Sequence, residues 1–220
     1  MSLYAIWTTL CDEFDELGTT LRSFAAGKAA VSSSTDFTLE DECLLEGLLS
    51  RAWQAWGGFC RGCLVESCMG TVNGAGAAVA GHPFAMSADH VSAAAIRSKQ
   101  TLKPPAWGST NSVLRLEPTW GDVDVLNTII PRMQPSNQGQ LLAAFSAAHK
   151  SAKALQIIRN AAAHHNHQTL AEVQAIRSAY IVFPITRAIH ALFWVEPATR
   201  DFLVLQAVED LRDVSLAAIS

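Results

Sequence analysis

Between residues 159 and 167 the chain reads Arg-Asn-Ala-Ala-Ala-His-His-Asn-His, and this short segment concentrates side chains able to move protons or hold an anion. Arg159 offers a forked cation, His164 and His165 offer imidazoles, and Asn160 offers an amide that can orient a neighbour. Asn160 and His164 are four residues apart and share one face of a continuous helix, where the amide can select the imidazole tautomer. Arg159 and His164 are five apart, about 140° around an ideal helix. They converge on one substrate only if the helix unwinds near His164 or if a second chain shares the site. By spacing, and by the alanine before it, His164 is the better catalytic candidate than His165.

Rival chemistries are weaker. His164, His165 and His167, with His149, could be read as zinc ligands, but histidines at a helix end are commonly solvent-facing cations favoured by the helix dipole. The five cysteines are Cys11, Cys43, Cys60, Cys63 and Cys68, an odd number that argues for reduced thiols. Cys60-x2-Cys63 with Cys68 resembles half of a metal-ligand set, yet nothing nearby completes it, and the residues suit the buried face of a helix. No metal and no cofactor is expected. The stretch GTVNGAGAAVAG at 70–81 lacks the Gly-Lys-Ser/Thr ending of a phosphate loop and reads as a flexible loop. Trp7, Trp53, Trp56 and Trp194 fall on apolar helix faces and read as core. Trp107 and Trp120 flank an irregular stretch and could pin it down or stack on a base, with core the better reading. His82, His90 and His190 have no partner by spacing.

The elements that must position the candidate residues read as helices. Leu3, Ile6, Leu10, Phe14, Leu17, Leu21 and Phe24 alternate spacings of three and four and predict a long first helix. A loop is expected from Ala26 to Ser34; Thr38 and Asp41 then open a second helix to about Met69, with a bend at Gly57–Gly58. Ser87 caps a short helix to about Lys99. The stretch LKPPAWGSTNSVLRLEPTWG is too rich in Pro and Gly for more than one short strand. Asp122 opens a helix ending at Pro131, and PSNQG leads into one alanine-rich helix, LLAAFSAAHKSAKALQIIRNAAAHHNH. Thr169-x-x-Glu172 reads as the capping box of the next helix, running to Val195 with a kink at Pro184. A last amphipathic helix covers Thr199 to about Ala218. The fold expected is all-α, one domain over 1–220: a bundle of five to seven helices with a long irregular excursion at about 70–121.

Composition bounds the partners. The chain has 220 residues, 50% hydrophobic and 16% charged, enough to bury a core. No apolar run reaches the ~20 residues of a spanning helix, and the start lacks a basic leader, so a cytoplasmic protein without membrane contact is expected. The net charge of -4 hides segregation: residues 1–60 carry -6, 61–124 carry 0, 125–195 carry +5 and 196–220 carry -3. The basic segment holds Arg132, Lys150, Lys153, Arg159, Arg177 and Arg187 against Glu172 alone. That excludes a uniformly basic nucleic-acid binder but suits a local anion site.

Arg159-Asn160-x-x-x-His164 resembles the Arg-x(4–6)-His motif of the HEPN superfamily of all-α proteins, whose arginine is usually followed by a polar residue. The resemblance runs from about Ala143 to Val173; elsewhere only the helical pattern is similar, and the subfamily stays open, a RiboL-PSP-HEPN-like domain among the choices. It implies a metal-independent endoribonuclease, the toxin of a toxin–antitoxin pair or a component of phage defence, acting as a homodimer whose site is lined by both copies of the motif. It implies His164 from two protomers as base and acid, Arg159 as phosphate clamp, and Asn160 as the group that positions the histidine or binds a phosphate oxygen. Lys150, Lys153, Arg177 and His165, with Arg187, become candidates for the RNA backbone. The alternative is a helical module, an adaptor or immunity partner, that binds RNA or protein without cutting.

Overall fold

Leu3, Leu10, Phe14, Leu17 and Leu21 are buried along one face of α1 (Leu3–Gly27) in the computed structural model of the chain, with Ile6 and Phe24 half-buried beside them. The structure describes residues 1–28, 33–100, 107–108 and 112–220. These form an all-α fold of eight α-helices, four short 3-10 helices and one two-stranded ribbon. The chain is organised as two compact units: Met1–Cys11, Trp56–His149 and Arg212–Ser220 make the first, and Asp12–Ala55 and Lys150–Leu211 the second. No helix among the described residues is long and apolar enough to cross a membrane.

α2 (Leu39–Met69) starts where the sequence announces it. The Thr38 N–H donates to Asp41 Oδ2 at 2.7 Å and the Asp41 N–H donates to Thr38 Oγ1 at 3.3 Å, a reciprocal cap. The helix runs unbroken through Gly57 and Gly58. In the first unit its indole at Trp56 donates to the Gly121 carbonyl at 3.1 Å and its cysteines Cys60, Cys63 and Cys68 are fully buried.

The stretch 70–81 is more ordered than a flexible loop. β1 (Thr71–Val72) pairs antiparallel with β2 (Ala78–Val79), and Asn73 Oδ1 accepts from the N–H groups of Ala75 and Ala77 across the turn. Gly70 and Gly76 take left-handed backbone angles, and a Cβ at Gly81 would lie 2.7 Å from the Met69 carbonyl oxygen. Glycine is needed there for close backbone passage rather than for mobility. α3 (Ala88–Ser98) is capped by Ser87 as expected. α4 (Val123–Met133) is capped by Asp122, and Pro131 sits in its last turn rather than at its end, with left-handed Gln134 closing it.

The irregular stretch is held by one carboxylate. Glu117 accepts two hydrogen bonds from the Arg61 guanidinium, at 2.9 and 2.8 Å, one from Ser92 Oγ at 2.6 Å and one from Trp120 Nε1 at 2.9 Å. Trp107 donates to the Met133 carbonyl at 3.2 Å and stacks on His82, with ring centroids 4.3 Å apart. Both tryptophans pin the chain; Trp120 is buried as a core residue, while Trp107 is only half-buried. The parts of the expected loops at 29–32, 101–106 and 109–111 lie outside the described residues.

Two expected helices are divided. The alanine-rich stretch forms α5 (Gln138–Ala147) and α6 (His149–Ala163). Nothing in the local sequence explains the break, and Ala148 at it is fully buried, so packing outweighs helix propensity. The following stretch gives α7 (His167–Ile176) and a 3-10 turn at Arg177–Ala179; the chain is then non-helical to Arg187, and a 3-10 helix covers Ala188–Phe193. The expected kinked helix is absent because Ile181 and Val182 favour extended backbone and Pro184 restricts Phe183 before it. Ile181 instead exchanges two backbone hydrogen bonds with Val195, at 2.8 and 3.0 Å. α8 (Leu203–Ile219) begins four residues later than expected, after a turn in which Arg200 is left-handed. In the second unit Phe193 gathers Phe24, Phe37 and Phe202 at centroid distances of 5.7, 5.3 and 4.8 Å.

Replacing Glu117 with alanine should cost about 2 kcal/mol, since it strands a partly buried guanidinium, a hydroxyl and an indole. Burial by itself would raise the Glu117 carboxyl, but the hydrogen bonds from Arg61, Ser92 and Trp120 outweigh it and hold the group below its usual 4.5. Its contribution is therefore present above pH 4.5 and lost as pH falls through the lower folded value. Urea denaturation of wild type and Glu117→Ala should show the stability gap narrowing below pH 4.5.

Candidate functional site

α6 ends at Ala163, and side chains that follow it set that end. The His164 carbonyl accepts from Asn166 Nδ2 at 3.0 Å and from Thr169 Oγ1 at 2.7 Å, while Asn166 Oδ1 accepts from the Gln168 and Thr169 N–H groups to start α7. The cap of α7 is thus Asn166, with Thr169 answering it, three residues earlier than the expected Thr169–Glu172 box. The turn between the helices leaves His164 and His165 exposed.

Leu155, Ile158 and Ala161 bury the opposite face of α6, and Arg159 and Asn160 are half-buried between the two faces. Arg159 Nη1 donates to Asn160 Oδ1 at 3.2 Å, so the amide steadies the guanidinium rather than the imidazole. The His164 N–H donates to the Asn160 carbonyl at 2.8 Å. Arg159 also lines a hollow of about 160 Å³ with Ala162 and Ala163 of α6 and Glu46, Leu49 and Ser50 of α2. The guanidinium and the small end of α6 therefore share one concavity in the second unit, one residue before His164.

The flanking cations are disposed differently. Lys150 pairs with Glu196 at 2.9 Å and lies 5.7 Å from the Tyr180 ring centroid. Arg187 pairs with Glu42 at 3.0 Å, and Arg132 donates to the Ser98 and Gln100 carbonyls, both at 3.0 Å. Lys153 is half-buried. Arg177 is exposed, with no ion pair among the described residues. The +5 of residues 125–195 is thus partly answered by carboxylates from outside that segment. In the first unit, His149 faces Asp124 at 3.3 Å. Among the described residues no group of three or more His, Cys, Asp or Glu could hold a metal ion. Burial pushes the Cys63 and Cys68 thiols up to about 12, and Cys60 likewise well above its usual range. These thiols are core, not nucleophiles.

No protein-family model, curated protein or solved structure matches this chain.

Sequence spacing gave no sign of a second titratable cluster in the same unit. His190 is 1% exposed, its Nε2 lies 2.9 Å from Glu42 Oε1, and its ring stacks on Phe37 at 4.5 Å. Glu42 thereby takes both Arg187 and His190 from 145 and 148 residues away, a pairing that only the fold creates. Hydrophobic context around His190 in AIHALFWV, read as buried, was the one available signal.

Burial lowers the His190 pKa below its ordinary 6.5 by more than Glu42 raises it. The unfolded chain then binds the proton first, so this residue's contribution is intact above pH 6.5 and declines as pH falls below it. Chemical denaturation from pH 7.5 to 5 should show a smaller acid loss in His190→Gln than in wild type.

Proposed function

We propose that the protein is a metal-independent endoribonuclease, with Arg159, Asn160 and His164 as its working residues. The observation that carries this reading is the arrangement at the end of α6: a guanidinium steadied by Asn160 in a hollow it shares with Ala162, Ala163, Ser50, Leu49 and Glu46, followed directly after Ala163 by an exposed imidazole. The resemblance of 143–173 to HEPN domains supports the same assignment.

In this chemistry the RNA 2′-hydroxyl attacks the adjacent phosphorus and gives its proton to one imidazole. The bond to the 5′-oxygen breaks, and that oxygen takes a proton from a second imidazolium, leaving a 2′,3′-cyclic phosphate and a free 5′-hydroxyl. Arg159 holds the non-bridging oxygens, where negative charge grows. The HEPN resemblance implies a homodimer as the working unit, and His164 from each copy then supplies the two imidazoles. Lys150, Lys153, Arg177 and His165 steady the strand; Lys150 exchanges Glu196 for a phosphate. A nuclease of this kind serves as a toxin held by an antitoxin, or in phage defence. One observation favours a second reading, a module that binds RNA or a protein without cutting: His164 has no side-chain partner among the described residues to orient its ring.

Incubating a mixed RNA pool in EDTA with wild type, Arg159→Ala and His164→Ala separates these. The nuclease reading expects cyclic-phosphate ends and at least about 100-fold slower cleavage by each variant. Folded wild type that cuts nothing, or cleavage that both substitutions leave unchanged, contradicts it and favours the binding module.

A further inference from the structure

Where the expected kinked helix fails to form, the chain builds a second hollow, of about 370 Å³, within the second unit. Its walls come from Gln174 of α7, Arg177 at the start of the 3-10 turn, and Phe183, Pro184 and Ile185 of the non-helical segment, with Trp194 behind them. The volume is at the small end of ligand pockets, which run from roughly 300 to 1,000 Å³. The wall is held in place. Trp194 is buried and its Nε1 donates to the Phe183 carbonyl at 3.2 Å, and the Ile181–Val195 bridge fixes the segment just before it. Phe183 precedes a proline and is confined to extended backbone.

The lining combines three features. Phe183, Pro184 and Ile185 present apolar and aromatic surface that is only partly buried. Gln174 brings an amide with both a donor and an acceptor. Arg177, three residues on and so on the same side of the chain, brings an exposed guanidinium with no ion pair among the described residues. A ligand suited to all three is planar and apolar in its body, edged with donors and acceptors, and anionic at one end. A nucleotide has that form.

We infer that this pocket takes one unpaired nucleotide of an RNA strand, with its base against Phe183 and Pro184, its edge on Gln174 and its phosphate on Arg177. The inference rests on the ribonuclease reading for its choice of RNA and extends it by naming a base-binding subsite. α7 connects the two places. His164 and His165 stand just before its first turn, and Gln174 lies seven residues beyond His167, about 10 Å along the axis at 1.5 Å per residue. A short single-stranded segment spans such a distance. Aromatic stacking with an arginine contact is also how single strands are held without a duplex.

The test uses the full chain and needs no cleavage. Calorimetric titration with AMP, GMP, CMP and UMP, and with the matching nucleosides, is followed by competition with an uncleavable 2′-O-methyl oligoribonucleotide. At least one mononucleotide should bind more tightly than its nucleoside. Its affinity should fall about tenfold in Arg177→Ala and measurably in Phe183→Leu, which keeps apolar volume but removes the ring. The oligomer should displace it. No nucleotide binding at millimolar concentration, or binding that survives both Arg177→Ala and Phe183→Leu in folded protein, overturns the proposal. Binding that the oligomer does not displace overturns the RNA subsite and leaves a free-nucleotide site. Nucleotide binding without RNA cleavage removes the ribonuclease reading but not the pocket, and cleavage without nucleotide binding does the reverse.

Discussion

The His164 carbonyl, gripped by Asn166 and Thr169, is the contact on which the candidate site depends. An alanine-rich helix has no internal reason to stop, and this one meets neither glycine nor proline at its end. What stops it is a competing offer: Asn166 satisfies the first N–H groups of α7, and its amide and the Thr169 hydroxyl satisfy an orphan carbonyl of α6. Capping exchanges of this kind are worth about 1 kcal/mol each, enough to choose between two helical registers but too little to hold an unwilling chain.

The same logic of local offers against distant ones divides what was legible in the sequence from what was not. α1, α2, α3 and α4 announce themselves because their signals are local: apolar spacing of three and four, and Thr38, Ser87 and Asp122 at the caps. The break at Ala148 and the loss of the helix after Ile176 have no comparable local signature. The first falls at a fully buried alanine. The second had a warning in the β-branched residues before Pro184, but a kink and a complete break look alike until a partner strand such as Val195 is known.

The candidate site was legible in part. Arg159, Asn160 and His164 are close in sequence, so their grouping at the end of α6 needed no tertiary information. The role of Asn160 did: spacing of four pointed to the imidazole, while the structure gives its oxygen to the neighbouring guanidinium. Charge counts along the chain do not show that Glu196 and Glu42 reach Lys150 and Arg187 from other segments. Arg177 keeps its exposure. The His190–Glu42 pair was invisible to any spacing rule, and it belongs to the aromatic core beside Phe37 rather than to the exposed end of α6.

The proposal that the exposed end of α6 meets RNA through His164 and Arg159 is tested by the 1H–13C spectrum of the histidine Cε1–Hε1 groups during titration with 2′-O-methyl RNA, with His164 identified by its loss in His164→Ala. The His164 signal is expected to move saturably, together with that of His165, and Arg159→Ala to abolish the movement while His190 stays still. A His164 signal that ignores RNA, while RNA binds and other histidines respond, would contradict it.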